Sequence, residues 1–178
     1  MLLVKVARGL EPADIIISNI NLVEVNTGNI LEDVAVLIKG ARIAGIVSSR
    51  AIDKYRGADT VIIDGKRGYA VPGFIDLHIH IESSMLDPLG FAKIALRHGT
   101  TTVVADPHEV VNVLGLKGFE VFSKISKLLP LKILLEIPSC IPPTDPIMKL
   151  ETPPNTIAIE EMKYALNFDN VVGLGEVM

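Results

Sequence analysis

Two histidines one residue apart, His78 and His80, stand between two carboxylates, Asp76 and Glu82, in the stretch PGFIDLHIHIESSM at residues 72–85. On a β-strand these four side chains share one face, with the imidazoles about 6.5 to 7 Å apart, because alternate residues point the same way. The other parity, Ile75, Leu77, Ile79 and Ile81, is continuously apolar and predicts burial beneath a layer of helices. An ionisable face on a strand buried on both sides is unfavourable unless its groups are paired or bind a metal. Two imidazoles converging on one divalent ion meet that requirement. An isolated His-x-His is more often a pair of exposed or hydrogen-bonded histidines; the strand setting, the Pro72-Gly73 turn and the in-face carboxylates favour the metal here.

A histidine and carboxylate donor set without a thiolate pair suits zinc, manganese or iron. Such an ion lowers the pKa of a bound water from about 15.7 to about 7, on the order of 12 kcal/mol of help in making a nucleophile. Hydrolysis at an electrophilic carbon follows from that chemistry. Further polar groups recur at the ends of apolar runs: Asp106, His108 and Glu109 after TTTVVA, Ser139 and Cys140 after LKILLEI, and Glu176 in VVGLGEV. Glu176 reads either as an exposed glutamate or as a ligand able to bridge two ions; its setting between apolar residues, with Gly173 and Gly175 leaving room, favours the ligand. The Asp-Pro-His-Glu loop is weaker evidence, since Asp-Pro starts many turns and His108 fits a solvated loop as well. His98, just before Gly99, fits a helix C-terminus, and Cys140, with no evident base, fits a small apolar filler.

Positioning these groups requires two kinds of element. Residues 1 to about 68 read as short strands (ADIIIS, NLVEV, EDVAVLIKG, RIAGIV, TVIID) broken by Gly, Asn and Asp, which predicts a small all-β unit, a sandwich. From Tyr69 the pattern alternates. Asp87-Pro88 predicts a capped helix ending at Gly99; TTTVVA is a strand; Leu116, Phe119, Phe122 and Ile125 predict a helix ending before Pro130. LKILLEI is a strand, residues 142–154 a proline-rich loop, and a third helix is predicted from a cap near Thr156, with Glu160 and Glu161 in its first turn. VVGLGEVM closes the order (βα)(βα)(βα)β. This is an α/β pattern with a parallel sheet, either doubly wound or closed into a barrel. In a barrel the polar strand ends meet at one face, and no phosphate-cradling Gly-x-Gly-x-x-Gly follows any strand.

The 178 residues carry a net charge of -4, which predicts neither nucleic acid nor an anionic membrane as partner. One cysteine excludes an intrachain disulfide framework. With Lys5 and Arg8 interrupting the apolar N-terminus, which argues against a signal peptide, this predicts a cytoplasmic location. No apolar run reaches the length of a membrane span. The hydrophobic fraction of 49% is ample for a core.

The motif PGFIDLHIHIESSM resembles the first strand of the amidohydrolase superfamily, metal-dependent (β/α)8 barrels with a β-sandwich beside them. Within it, HIHIESSM, HGTTTVVADPHEVVNVLG at 98–115, IPSC at 137–140 and GLGEVM at 173–178 resemble the adenine deaminase branch. The resemblance implies hydrolysis of adenine to hypoxanthine and ammonia at a binuclear centre of manganese or iron, with zinc also compatible. It implies His78 and His80 as ligands of one ion and Glu176 as the bridging carboxylate, where many relatives carry a carboxylated lysine. Glu82 and His108 become the catalytic candidates, with Asp76, Ser83, Ser84, Asp106 and Glu109 around the substrate or behind the ligands.

Residues 69–178 number 178 - 69 + 1 = 110, against about 250 for such a barrel. The resemblance therefore predicts a β-sandwich (composite) domain at 1–68 and the first four strands of a TIM-type barrel at 69–178. The family's later histidines and its proton-handling aspartate have no counterpart here. The expectation is an N-terminal portion, inactive alone and completed by a homo-oligomer or a second chain. Other readings are an amidohydrolase acting on a cyclic amide or another aminopurine, and a non-catalytic metal-binding or interaction module.

Overall fold

The computed structural model describes residues 1–148, 150 and 155–177. Its chain divides into two compact units, Met1–Pro72 and Gly73–Met178.

The first unit has helix α1 (Leu2–Ala7) and strands β1 (Ile15–Glu24), β2 (Asn29–Lys39), β3 (Arg42–Ser48), β4 (Val61–Asp64) and β5 (Tyr69–Ala70). The sequence predicts two strands where β1 forms one. Asn19, at φ 53°, sits where the register shifts against β2, so the strand bends without ending. Its first half pairs with β4 in parallel, Ile15 opposite Val61, and its second half with β5, Asn21 opposite Tyr69. β1–β2 and β2–β3 are antiparallel, the latter joined at Gly40, whose φ of +57° suits a tight hairpin. All five strands thus lie in one sheet, and the second sheet of the predicted sandwich is not among the described residues. Val6, Ala13, Ile16, Ala35, Leu37 and Tyr55 form its buried core, while Ile43, Val61 and Ile63 remain exposed.

The second unit runs β6 (Phe74–Ile79), α2 (Pro88–Arg97), β7 (Thr100–Ala105), α3 (His108–Leu114), α4 (Leu116–Ser126), β8 (Lys132–Ile137), α5 (Ile159–Ala165) and β9 (Val171–Leu174). The sheet order is β6-β7-β8-β9 and every pair is parallel. On β8, Ile133, Leu135 and Ile137 are buried and meet Phe119, Phe122, Ala92 and Ala165 from the helices. Asp87 caps α2 as predicted, its side chain accepting from the Gly90 N–H at 2.6 Å.

Three expectations are corrected. β6 is not buried on both sides: it is an edge strand of the described sheet, with Ile75 61% and Leu77 73% exposed, and its apolar parity meets the core at Ile79 and, just past the strand, at Ile81. The Asp-Pro-His-Glu stretch, read as a loop, runs instead into a helix from His108, α3, which Gly115 (φ +61°) separates from α4, where the predicted second helix stands. The third begins at Ile159, with the Ala158 N–H bonded to the Glu161 carboxylate at 2.8 Å, so Thr156 lies outside it. Lys149 and residues 151–154 of the proline-rich loop lie outside the described residues, as does Met178.

Candidate metal centre

The C-terminal ends of the four parallel strands bring together groups far apart in sequence. β6 ends at Ile79, so His80 stands just beyond it, yet the His78 and His80 rings stay adjacent, with centroids 5.1 Å apart at an interplanar angle of 85°. Glu176 lies past the end of β9 and not within the strand as the sequence suggests. Its carboxylate faces both rings: Oε1 is 3.3 Å from His80 Nε2 and Oε2 is 3.9 Å from His78 Nε2. One ligand atom from each of His78, His80 and Glu176 lies within 4.8 Å of the others. The same holds for Asp106, His108 and Glu176, and for His78, Asp106 and Glu136.

Backbone contacts hold Glu176 there. The Gly175 N–H donates to Ile137 O at 2.7 Å, and the Ser139 hydroxyl donates to Glu176 O at 2.7 Å, with the Cys140 thiol 3.5 Å from the same oxygen. A Cβ on Gly175 would collide with the Asp106 carboxylate, so glycine there lets that carboxylate reach the cluster. Gly173 has nothing within 4 Å of where a Cβ would stand, so only one of the two glycines serves close approach.

Asp106 and His108 flank this point. Asp106 is fully buried, and His108 opens α3 as a buried residue, not a solvated loop histidine. His108 Nδ1 is 4.0 Å from both Asp106 Oδ1 and Glu176 Oε1, and its ring is 5.9 Å from that of His80. Burial pushes the Asp106 carboxyl up to about 6, against the opposing pull of His80 and the Glu176 backbone N–H. His78 is raised by its hydrogen bond to Glu136, against a smaller effect of burial.

The remaining predicted residues divide. Glu82 lies in a short 3-10 turn, residues 82–84, rather than on the strand; its Oε1 accepts from the Val110 N–H at 3.3 Å, and burial raises its carboxyl. The Ser83 hydroxyl donates to Glu109 Oε1 at 2.5 Å, and Glu109 Oε2 lies 3.6 Å from His80 Nδ1. Ser84 instead closes its own turn, donating to Ile81 O at 2.6 Å. Asp76 accepts from the His78 N–H at 3.2 Å and joins none of the ligand groups among the described residues. His98 takes the C-cap of α2, as predicted.

Glu136 was not singled out from the sequence. Its carboxylate is 2.8 Å from His78 Nδ1. The signal that could have found it is the one that found Glu176, an ionisable residue inside an apolar strand run, here LKILLEI.

The donor set fits a divalent ion on an observation independent of residue type. His80 Nδ1, Glu82 Oε2 and Glu109 Oε2 are buried without a hydrogen-bond partner among the described residues. Buried carboxylates and imidazoles so arranged are costly unless a cation satisfies them.

Curated relatives share the whole chain. The adenine deaminase of Staphylothermus marinus is 54% identical over 99% of this chain and that of Thermosipho africanus 43% over 99%; the chain spans 29% of the length of each. Among solved structures, an atrazine chlorohydrolase mutant from Arthrobacter aurescens complexed with zinc and atraton superposes with a TM-score of 0.55 at 18% identity, over 70% of this chain and 36% of that one. Guanine deaminase of E. coli gives 0.51 at 14%, over 92% and 44%. At these identities the likeness shows a shared fold alone. The amidohydrolase family matches residues 69–172, more than half of the sequence, and the chain belongs to that family.

Proposed function

We propose that these residues form part of the metal centre of a hydrolase that deaminates adenine to hypoxanthine and ammonia. The observation that carries this reading is the convergence of His78, His80 and Glu176, three potential ligands from two strand ends, on one point. His78 and His80 would hold one ion through Nε2, and Glu176 would bridge to a second, manganese or iron in preference to zinc. Asp106 and His108 also offer ligand atoms within 4.8 Å of Glu176 and of each other. A bound divalent ion supplies a nucleophile at neutral pH by lowering the pKa of its water.

The chain's own groups then handle protons. Glu82, raised by burial, can carry a proton on Oε2 for the purine ring, and His108 Nδ1, beside Asp106 and Glu176, can exchange one with the attacking water. Ser83 orients Glu109. Relatives of 54% and 43% identity named adenine deaminase support adenine as the substrate.

In this reading residues 69–178 are the first four strands of a (β/α)8 barrel, with the active site at the strands' C-terminal ends, and residues 1–68 belong to a composite β domain. Further strands supply the remaining ligands, so the 178 residues alone do not turn over adenine. Metal analysis of the intact protein, followed by ammonia-release assays on adenine, other aminopurines and cyclic amides, tests this. Adenine-selective ammonia release with about two ions bound per chain supports it; turnover undiminished after metal removal would sink it.

A further inference from the structure

His78 has two ring nitrogens and two carboxylates facing them. Nε2 points to Glu176 at 3.9 Å; Nδ1 lies 2.8 Å from Glu136 Oε2. A neutral imidazole carries one proton, and a carboxylate at hydrogen-bond distance holds it on the nitrogen it faces. We propose that Glu136 is a positioning residue that keeps the His78 proton on Nδ1, so that the Nε2 lone pair is presented to the site. This rests on the metal reading above and adds to it a residue that orients a ligand without binding the ion.

The anchorage of Glu136 suits that role. It sits on β8, a strand paired on both sides, with Val103 opposite Ile133 toward β7 and Glu136 itself opposite Gly173 of β9. The flanking Leu135 and Ile137 are fully buried in the helix-facing core, so the carboxylate hangs from a fixed backbone. His78, by contrast, belongs to the exposed edge strand β6, and its side chain is 40% exposed. The carboxylate facing this exposed ligand is therefore carried by a strand paired on both sides. His80 shows a looser version of the same arrangement, with Glu109 Oε2 3.6 Å from its Nδ1 and Nε2 toward Glu176.

Glu136 could instead be a ligand, since His78, Asp106 and Glu136 also offer atoms within 4.8 Å of one another. Two readouts separate the roles. In the metal-free intact protein at mildly alkaline pH, two-bond 1H–15N correlation spectra report the His78 tautomer; manganese titration with metal analysis reports affinity and stoichiometry. The wild type should show Nδ1–H. Glu136→Leu should shift His78 toward Nε2–H and weaken manganese binding about 10- to 100-fold with stoichiometry unchanged. Glu136→Gln, whose amide oxygen still accepts from Nδ1–H, should retain the tautomer and recover most of the affinity. An Nε2–H tautomer in the wild type overturns the proposal whether or not the leucine variant folds. Loss of one bound ion in Glu136→Gln overturns it too, by making Glu136 a ligand. Failure of the metal reading itself looks different: the wild type would bind no divalent ion whatever its tautomer.

Discussion

Asp106 couples the site to pH. Burial raises its carboxyl from the ordinary value of 3.8 to about 6, so between those values the folded metal-free chain binds more protons than the unfolded one. The contribution of Asp106 to the stability of the metal-free protein therefore falls as pH rises through that window. A cation reverses the preference, because it binds the deprotonated carboxylate. Metal affinity should weaken as pH drops below about 6, by roughly tenfold per pH unit for each proton displaced, and isothermal titration across that range would show it; a flat profile would remove Asp106 and His78 from the metal's surroundings. His78, His80, Glu82 and Glu176 were all legible as residue types in the sequence. Their partners were less so: Glu136 lies 58 positions from His78, and period-two reasoning carries no information about which strand lies next to which. The same reasoning placed Asp76 and Glu82 beside the histidines, but β6 ends at Ile79 and the chain turns, which takes Glu82 to the Val110 N–H and leaves Asp76 behind.

At the scale of elements, the site depends on close approach between strand ends. Gly175→Ala places a methyl group against the Asp106 carboxylate, and should cost about 1 to 3 kcal/mol of stability by denaturant titration, together with weaker metal binding. Asp87→Ala removes the α2 cap and should cost about 1 kcal/mol with metal binding unchanged, since α2 carries no proposed ligand. Capping, proline and glycine signals made α2, β7 and β8 readable. Helix α3 was not, because Asp106-Pro107 reads as the start of a turn, whereas the helix opens at His108 directly after it. The continuity of β1 was hidden for a different reason: Asn19 at φ 53° reads as a turn residue, yet here it bends one long strand that serves two parallel partners.

For the whole molecule, what the described residues leave uncovered matters as much as what they bury. Phe74, Ile75 and Leu77 on the edge strand β6 and Val172 on β9 are more than half exposed, a surface that favours association with other strands. The 178-residue chain by itself should self-associate in light scattering, and Leu77→Lys should reduce that association; a monodisperse monomer would contradict it. No described helix is long and apolar enough to cross a membrane. The alternation of strand and helix made the parallel sheet legible, because parallel strands need crossovers. The chain spans 29% of the length of its curated relatives. The most direct test of the account is ammonia release from adenine by the manganese-loaded intact protein, wild type against Glu176→Gln. The account predicts turnover in the wild type and a loss of at least about a thousandfold in the variant, a few kcal/mol of transition-state stabilisation; comparable rates in the two would contradict it.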